Sequence, residues 1–436
     1  MTPARRTLRA IFRALVRLYF RSIEEVGERP SAATGGRVFV SNHWSALIDP
    51  ILVLTHAPCD ISPLAKSTLW NIPGLTWLLD LANAVPVVRR RDDPNKPAGA
   101  NDEIFERVAT HLARGGNVLV FPEGTSHNEP QMQRLKTGAA RMLARAAQEG
   151  AIGLTFQAVG LEFDERHAFR SRAVVAYGPV RAFDLHGEGA IEAATNQMRA
   201  DLEEMVVEAG SWEERRLVLF IAELLRNEEG GLSFADAVKL AQGVERARDE
   251  LRARDPELAA NVENATRVYL EALEASGLED EQLAREGTSA RPRRSRLHPL
   301  GYALAPLAPV GVVLYWVPYQ VPRFVARRTD EIDQHSTLKL GAGLVAYSIW
   351  AALLLTAAYF VTPGRAAFAL ACAVILVSPF VALFWLERTE GFARALRVVT
   401  ERRRLVELAH KRATALELLG RARQAVEAVG APPVAP

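Results

Sequence analysis

A histidine and an aspartate six positions apart, His43 and Asp49, lie in a polar segment suited to proton transfer. A histidine takes a proton from a hydroxyl nucleophile when a carboxylate fixes its tautomer and stabilises the imidazolium that forms. A second polar segment, Phe121 to Ser126, begins 78 positions after His43. Its Gly124 allows close backbone approach and positive φ, so the amides around it are candidate donors to an oxyanion. Together the two segments predict attack of a hydroxyl group on an acyl carbonyl.

The order of these and three further motifs resembles the glycerophospholipid acyltransferase family, which joins a fatty acyl group from a thioester carrier to glycerol 3-phosphate or a lysophospholipid. The segment from Asn42 to Pro50 is similar to the first family motif, and Val85 to Arg90 to the motif that binds the substrate phosphate. The third motif matches Phe121 to Pro130. The last two match Leu135 to Ala139 and Ala158 to Leu161, where Ala158 replaces a proline common in the family.

The spacing within the first motif resembles one branch of that family. Most members have four residues between the histidine and the aspartate, whereas this chain has five between His43 and Asp49. The fungal glycerol-3-phosphate and dihydroxyacetone-phosphate acyltransferases use a five-residue gap followed by proline, and Asp49 precedes Pro50. This similarity favours glycerol 3-phosphate or dihydroxyacetone phosphate as the acceptor, with lysophosphatidic acid or another lysophospholipid as alternatives.

The resemblance implies roles for individual residues. His43 is expected to act as general base and Asp49 to orient it, while a guanidinium at Arg89 grips the acceptor phosphate. No G-x-S-x-G motif occurs in the chain, so direct transfer without an acyl-enzyme is expected. The scheme requires no metal and no organic cofactor; acyl-CoA or acyl carrier protein is the donor. Glu123, Gly124 and Thr125 are expected to shape the acceptor and oxyanion site, supported by Asn42, Ser45, Arg90, Ser126 and Lys136.

Each signal also has a purely structural interpretation. Asp49 could cap a helix starting at Pro50, Phe121 to Gly124 could be a strand end and turn, and the arginines from Arg89 could be a solvated basic run. The conjunction of all motifs in order favours the enzyme. A lipid-binding membrane protein without catalytic activity is the alternative from another functional class.

Composition excludes several other classes. The 436 residues are 49% hydrophobic with a formal charge of +2, so no basic field predicts nucleic-acid binding. Two cysteines, Cys59 and Cys372, favour neither a disulfide framework nor a zinc site. Between residues 36 and 185 strand-like runs alternate with helical patterns over 50–54, 101–114 and 136–148, which predicts an α/β domain over 31–190 with a mostly parallel sheet flanked by helices. The resemblance implies that this is the acyltransferase domain.

The first 30 residues predict an amphipathic basic helix. Apolar residues from Leu8 to Ile23 recur at helical spacing, with arginines every fourth residue from Arg9 to Arg21 on another face. Such a helix can lie in a membrane interface with its arginines on anionic headgroups. Packing against the α/β domain is the equal alternative.

The remaining residues predict a membrane-associated second half. Residues 191–284 predict a helical region, 285–298 a basic linker, and 299–336 a re-entrant or interfacial segment, because prolines punctuate it. Residues 337–387 predict a transmembrane helical hairpin, and 388–436 an arginine-rich helical tail. Basic residues flank the hairpin on both sides, which places both flanks and the catalytic domain in the cytoplasm. The hairpin makes the lipid bilayer an expected partner. The Arg-rich, Lys-poor composition suggests a bacterial origin, and therefore the bacterial inner membrane as the location.

Overall fold

The computed structural model describes residues 1–31, 35–88, 102–184, 189–228, 233–287, 303–400 and 402–427 of the chain. It divides into two compact units, described separately below. The first unit comprises Met1–Arg215, Ser233–Gln242 and Glu331–Thr337; the second comprises Arg216–Leu232, Gly243–Asp330 and Leu338–Pro436.

The first unit contains a seven-stranded mixed sheet in the order β1-β7-β6-β2-β5-β3-β4. All neighbouring strands are parallel except β6 and β7, which pair antiparallel. This architecture confirms the predicted mostly parallel sheet. The strands are β1 Ser22–Gly27, β2 Arg37–Ser41, β3 Ser62–Lys66, β4 Val85–Val87, β5 Asn117–Val120, β6 Thr155–Phe163 and β7 Arg172–Ala182.

The centre of the sheet is apolar on both faces. All five residues of β2 are buried between its parallel neighbours β5 and β6, and β5 is buried from Val118 onward. Parallel strands covered on both sides need continuous apolar runs rather than alternation. The sequence Val38-Phe39-Val40 supplies such a run, so the polar residues after Ser41 come directly after a central, rigid strand.

Helices and a short 3₁₀ segment, Ser67–Asn71, connect the strands, and the predicted helices over 50–54, 101–114 and 136–148 are confirmed with small shifts in their ends. Two strands, β1 and β3, and helix α3 were not predicted. The helices of this part are α1 Pro3–Tyr19, α2 Ile48–His56, α3 Leu75–Leu81, α4 Asp102–Ala113, α5 Gly138–Gln148 and α6 Ala190–Glu203.

The prediction of a helix over residues 1–30 was wrong for its second half. Helix α1 ends at Tyr19, and Ile23 belongs to β1, which pairs with β7. Arg5 Nη1 lies 2.8 Å from Asp60 Oδ2, and Arg9 donates to the carbonyls of Thr55 and Ala57. These arginines therefore bind protein acceptors rather than headgroups, which favours the packing alternative for this face of α1.

The other helices are α7 Trp212–Glu228, α8 Phe234–Arg254, α9 Pro256–Ser276, α10 Asp280–Gly287, α11 Leu307–Ala326, α12 Ile332–Val361, α13 Gly364–Thr400 and α14 Arg402–Glu427. Within the second unit a buried polar network joins four of them. Asp280 accepts hydrogen bonds from Tyr269 Oη (2.6 Å), Asn227 Nδ2 (2.7 Å) and Arg412 Nε (2.8 Å). Because each donor has an acceptor, this buried carboxylate is compatible with a packed helical core.

Two described helices, Ile332–Val361 and Gly364–Arg388, are long and apolar enough to cross a membrane by length and composition. They correspond to the predicted hairpin segments. Helix α11 is continuous although Pro318 and Pro322 lie inside it. The expectation that prolines interrupt a regular helix here was therefore wrong. Of the predicted basic linker, residues 288–298 lie outside the described residues.

Candidate active site

The polar segment after β2 forms a tight turn that brings Asp49 back to His43. His43 Nδ1 lies 3.0 Å from Asp49 Oδ2, and the same oxygen accepts the Ser45 amide at 2.7 Å. Ala46 adopts φ +36°, an uncommon conformation for a residue with a Cβ. This turn accommodates the five-residue gap, so Asp49 in the first turn of α2 reaches hydrogen-bond distance of the histidine.

The hydrogen bond to Asp49 fixes the protonation pattern of the His43 ring. A carboxylate accepts, so Nδ1 carries the proton and Nε2 keeps its lone pair. The Phe121 ring stacks on the imidazole with centroids 4.1 Å apart. The side chain is 11% exposed, whereas that of Asp49 is fully buried. The arrangement suits a general base that presents Nε2 while Asp49 stays inside.

Glu123 lies beside the dyad but is saturated by protein donors. Its Oε1 accepts the His43 amide at 2.8 Å, and its Oε2 accepts the Gln133 amide at 2.7 Å together with His127 Nε2. His127 Nδ1 in turn accepts the Glu129 amide at 3.2 Å, which places the His127 proton on Nε2. Glu123 is 2% exposed. Its geometry therefore favours positioning of the two polar segments over the expected contact with substrate.

The loop from Gly124 to Ser126 provides backbone donors. Gly124 has φ +83°, and its own amide donates to Phe121 O at 3.0 Å, so this amide closes the turn. The Thr125 and Ser126 amides donate no hydrogen bond to a backbone carbonyl among the described residues. A Cβ at position 124 would lie 2.1 Å from Nζ of the exposed Lys136. The structure therefore brings together the predicted residues Gly124, Thr125, Ser126 and Lys136. The amides of Thr125 and Ser126 are the candidate donors.

Asn42 and Ser45 hold the histidine segment in place. Asn42 exchanges two hydrogen bonds with the backbone of Leu161, at 2.9 and 2.8 Å, and so ties the segment to the end of β6. Ser45 acts through its amide, because its Oγ, like Asp49 Oδ1, has no hydrogen-bond partner in the described part of the chain. Arg89 and Arg90 lie outside the described residues, and β4 ends just before them at Val87.

The comparisons with known proteins agree with this geometry. The family model Acyltransferase matches residues 22–161, from the start of β1 into β6. Residues 22–161 are an acyltransferase-family domain. It contains His43, Asp49 and the Glu123 loop, and the family resemblance inferred from the motifs is confirmed.

Three relatives with differently named activities share sequence similarity with this domain. The chain is 39% identical over 90 residues to glycerol-3-phosphate O-acyltransferase 2 of Saccharomyces cerevisiae, which is 20% of this chain and 12% of the yeast protein. It is 26% identical over 186 residues to the chloroplastic 1-acyl-sn-glycerol-3-phosphate acyltransferase LPAT1 of Arabidopsis thaliana, which is 42% of this chain and 48% of the plant protein. It is 32% identical over 113 residues to a lyso-ornithine lipid O-acyltransferase of Pseudomonas aeruginosa, which is 26% of this chain and 39% of the bacterial protein.

The matched segments thus span less than half of each of these relatives. Among solved structures, the 1-acyl-sn-glycerophosphate acyltransferase PlsC from Thermotoga maritima is 18% identical with a TM-score of 0.34, over 45% of this chain and 77% of that chain.

The acyltransferase motifs are supported by Arg166, which sequence reasoning missed. Arg166 Nη1 donates to Trp44 O at 3.0 Å and to His127 O at 3.2 Å, so one guanidinium joins the histidine segment to the glutamate loop. Its Nη2 donates to Asn128 Oδ1. Burial lowers the pKa of Arg166 to about 10, and the nearby Asp49 carboxylate limits the drop. No motif signalled this residue, because it lies in a turn after β6.

The start of α7 also contacts the site, although the sequence predicted only a helical region of no assigned role there. The Trp212 ring lies under the Arg166 guanidinium at 4.4 Å, and its Nε1 donates to Asn128 O at 2.8 Å. Arg215 pairs with buried Glu162 and lies 5.3 Å from the Trp44 ring. Burial raises the pKa of Glu162, and Arg215 opposes that rise. The Trp212 and Trp44 rings stabilise the positive charges of Arg166 and Arg215 near the dyad through cation–π contacts.

No group of three or more His, Cys, Asp or Glu side chains that could hold a metal ion occurs among the residues searched, which are the described ones. The Asp49 and Glu123 carboxylates near His43 accept hydrogen bonds from histidine side chains, and Glu123 also accepts the His43 amide.

Proposed function

We propose that the protein is a membrane-bound O-acyltransferase of phospholipid biosynthesis. It transfers a fatty acyl group from acyl-CoA or acyl carrier protein to glycerol 3-phosphate or 1-acylglycerol 3-phosphate. The observation that carries the proposal is the hydrogen bond of 3.0 Å between His43 Nδ1 and Asp49 Oδ2, next to a loop with two available amides. A protein that only binds lipid needs no base oriented in this way.

The reaction balances without an enzyme-bound acyl group. The acceptor hydroxyl gives its proton to His43 Nε2 while its oxygen attacks the thioester carbonyl carbon. The amides of Thr125 and Ser126 donate to the oxyanion of the tetrahedral intermediate. As the intermediate collapses, the carbon–sulfur bond breaks and the imidazolium returns the proton to the leaving thiolate. Asp49 stabilises the imidazolium between these steps.

The acceptor is the less constrained part of the proposal. The relatives are named for glycerol 3-phosphate, 1-acyl-glycerol 3-phosphate and a lyso-ornithine lipid, so the family accommodates several acceptors. The five-residue gap favours glycerol 3-phosphate in this chain, with Arg89 as the cation for its phosphate. Another lysophospholipid is the second candidate.

The site of action follows from the apolar helices. Residues 332–361 and 364–388 have the length and composition of membrane spans, and arginines precede and follow them. The excess of arginine on both flanks supports a cytoplasmic catalytic domain in a bacterial inner membrane. An acyltransferase there meets cytoplasmic thioester donors and membrane-bound lysolipids on one side.

The test is thiol release from a long-chain acyl-CoA by purified protein in detergent. Glycerol 3-phosphate, dihydroxyacetone phosphate, lysophosphatidic acid and a lyso-ornithine lipid are offered separately, with acyl carrier protein as a second donor. Release with one acceptor that disappears in His43→Ala supports the enzyme and names the substrate. Retained lipid binding with no release from either donor favours the lipid-binding alternative.

A further inference from the structure

The beginning of helix α12 belongs to the catalytic unit, although it follows the acyltransferase motifs by more than 150 residues. Residues Glu331–Thr337 cluster with the sheet domain, and Asp333 and Ser336 are buried there. The same helix continues into one of the two candidate membrane spans. No motif in the sequence connects this turn with the site.

Thr337 binds the N-terminus of the helix that carries Asp49. Helix α2 begins at Ile48, and its N-cap residue Leu47 offers no side chain to cap the free amides. The Leu47 amide instead donates to Thr337 Oγ1 at 3.1 Å, across 290 positions of sequence. An unsatisfied amide at a partly buried helix end costs stability, so this hydroxyl replaces a local cap. It thereby holds the turn between His43 and Asp49.

Ser336 binds the other support of the same turn. Its Oγ donates to the carbonyl of Arg166, and the Arg166 guanidinium donates to Trp44 O and His127 O. Two adjacent hydroxyls of α12 therefore support the histidine segment. Thr337 binds it directly at Leu47, and Ser336 acts through Arg166. Ser336 is 1% exposed, so water cannot easily replace it.

We propose that Ser336 and Thr337 are positioning residues of the acyltransferase site, which hold Asp49 in register with His43. Neither touches the reacting atoms; each acts through the backbone of residues 44–47. The proposal rests on the proposed function for its kinetic test, and the alignment itself is measured independently below. It predicts that the site requires the first two turns of α12, not only the motifs in residues 42–161.

The kinetic test compares Thr337→Val with Thr337→Ser and with Thr356→Val. Thr356 lies on the same helix, and its hydroxyl donates to the carbonyl of Ala352 in that helix and to no other described residue. Thr337→Val is expected to lower kcat about fivefold, as the loss of one ordinary hydrogen bond produces, with KM for the donor unchanged. Thr337→Ser restores the rate, and Thr356→Val equals wild type. Equal kcat in Thr337→Val and Thr356→Val overturns the proposal.

A double-mutant cycle separates positioning from general destabilisation. If Thr337 acts through Asp49, the valine substitution has little further effect on kcat in an Asp49→Asn background. A fivefold loss that persists in that background refutes the role. Ser336→Ala serves as the second variant if Thr337→Val does not fold, with the same cycle.

Modification of His43 by diethyl pyrocarbonate, followed by mass spectrometry of its peptide, needs no activity. The loosened turn in Thr337→Val is expected to expose the imidazole and raise the modification rate about fivefold over wild type and Thr356→Val. An unchanged rate overturns the positioning proposal. A raised rate in a protein that releases no thiol would support positioning while contradicting the proposed function.

Discussion

Replacement of Glu123 by glutamine tests whether this carboxylate positions the site or binds substrate. The carboxylate accepts three donors: the amides of His43 and Gln133, and His127 Nε2. A glutamine keeps the size but offers only one acceptor oxygen, and its amide nitrogen must face one side. If the nitrogen faces the His43 amide, two donors oppose each other. If it faces the other side, it opposes the Gln133 amide and His127.

Rearrangement of His127 cannot relieve this conflict fully. The ring could present an unprotonated Nε2, but Nδ1 would then carry the proton and lose the Glu129 amide, which it accepts at 3.2 Å. At least one buried hydrogen bond is lost in every arrangement, which costs about 1–3 kcal/mol. For a unit of this size that lowers the melting temperature by roughly 2–12 °C. Because His43 is held by its amide, kcat is expected to fall as well.

Thermal unfolding and steady-state kinetics of the purified Glu123→Gln protein provide the measurement. Positioning predicts a lower melting temperature and a lower kcat with little change in KM for the acceptor. The control is Glu106→Gln, because Glu106 is a 59% exposed residue that pairs with Arg145 on the surface. A raised KM for the acceptor at unchanged melting temperature would refute our reasoning and restore Glu123 as a substrate ligand.

Three further predictions concern the same unit. Asp49→Asn should reduce kcat by roughly 10²-fold or more with little loss of thermal stability, since the amide oxygen still accepts from His43 but carries no charge; unchanged kcat would remove Asp49 from the mechanism. Gly124→Ala should destabilise by about 1–2 kcal/mol in thermal unfolding, because φ is +83° and the new Cβ meets Lys136; an unaltered melting curve would contradict this. Burial raises the pKa of the Cys59 thiol, so its thiolate fraction at pH 8 falls and iodoacetamide should label it more slowly than in the unfolded chain, as mass spectrometry can follow.

The strands that carry the site were predictable because their residue patterns are local. The apolar run of β2 is followed immediately by polar residues, and that of β5 is followed by Phe121, Pro122 and then the polar Glu123. Because the two strands are parallel neighbours, both polar segments had to meet at one edge of the sheet. Strands β1 and β3 were not predicted, and part of β1 was assigned to the N-terminal helix. The residues of β1, Ser22-Ile23-Glu24-Glu25-Val26, do not alternate between polar and apolar, and only pairing with β7 selects the strand.

The sequence by itself determined the chemistry: a histidine and a carboxylate at a recognisable spacing, a glycine turn, and two apolar helices of membrane-spanning length. Only the tertiary structure showed that the turn through Ala46 brings His43 Nδ1 within 3.0 Å of Asp49 Oδ2. It also showed that the Glu123 carboxylate accepts hydrogen bonds from protein donors, including the His43 amide. It also decided that Arg166 and Thr337 support the dyad. Residue types and spacing specify local conformations, whereas hydrogen bonds across 290 positions depend on how the whole chain packs.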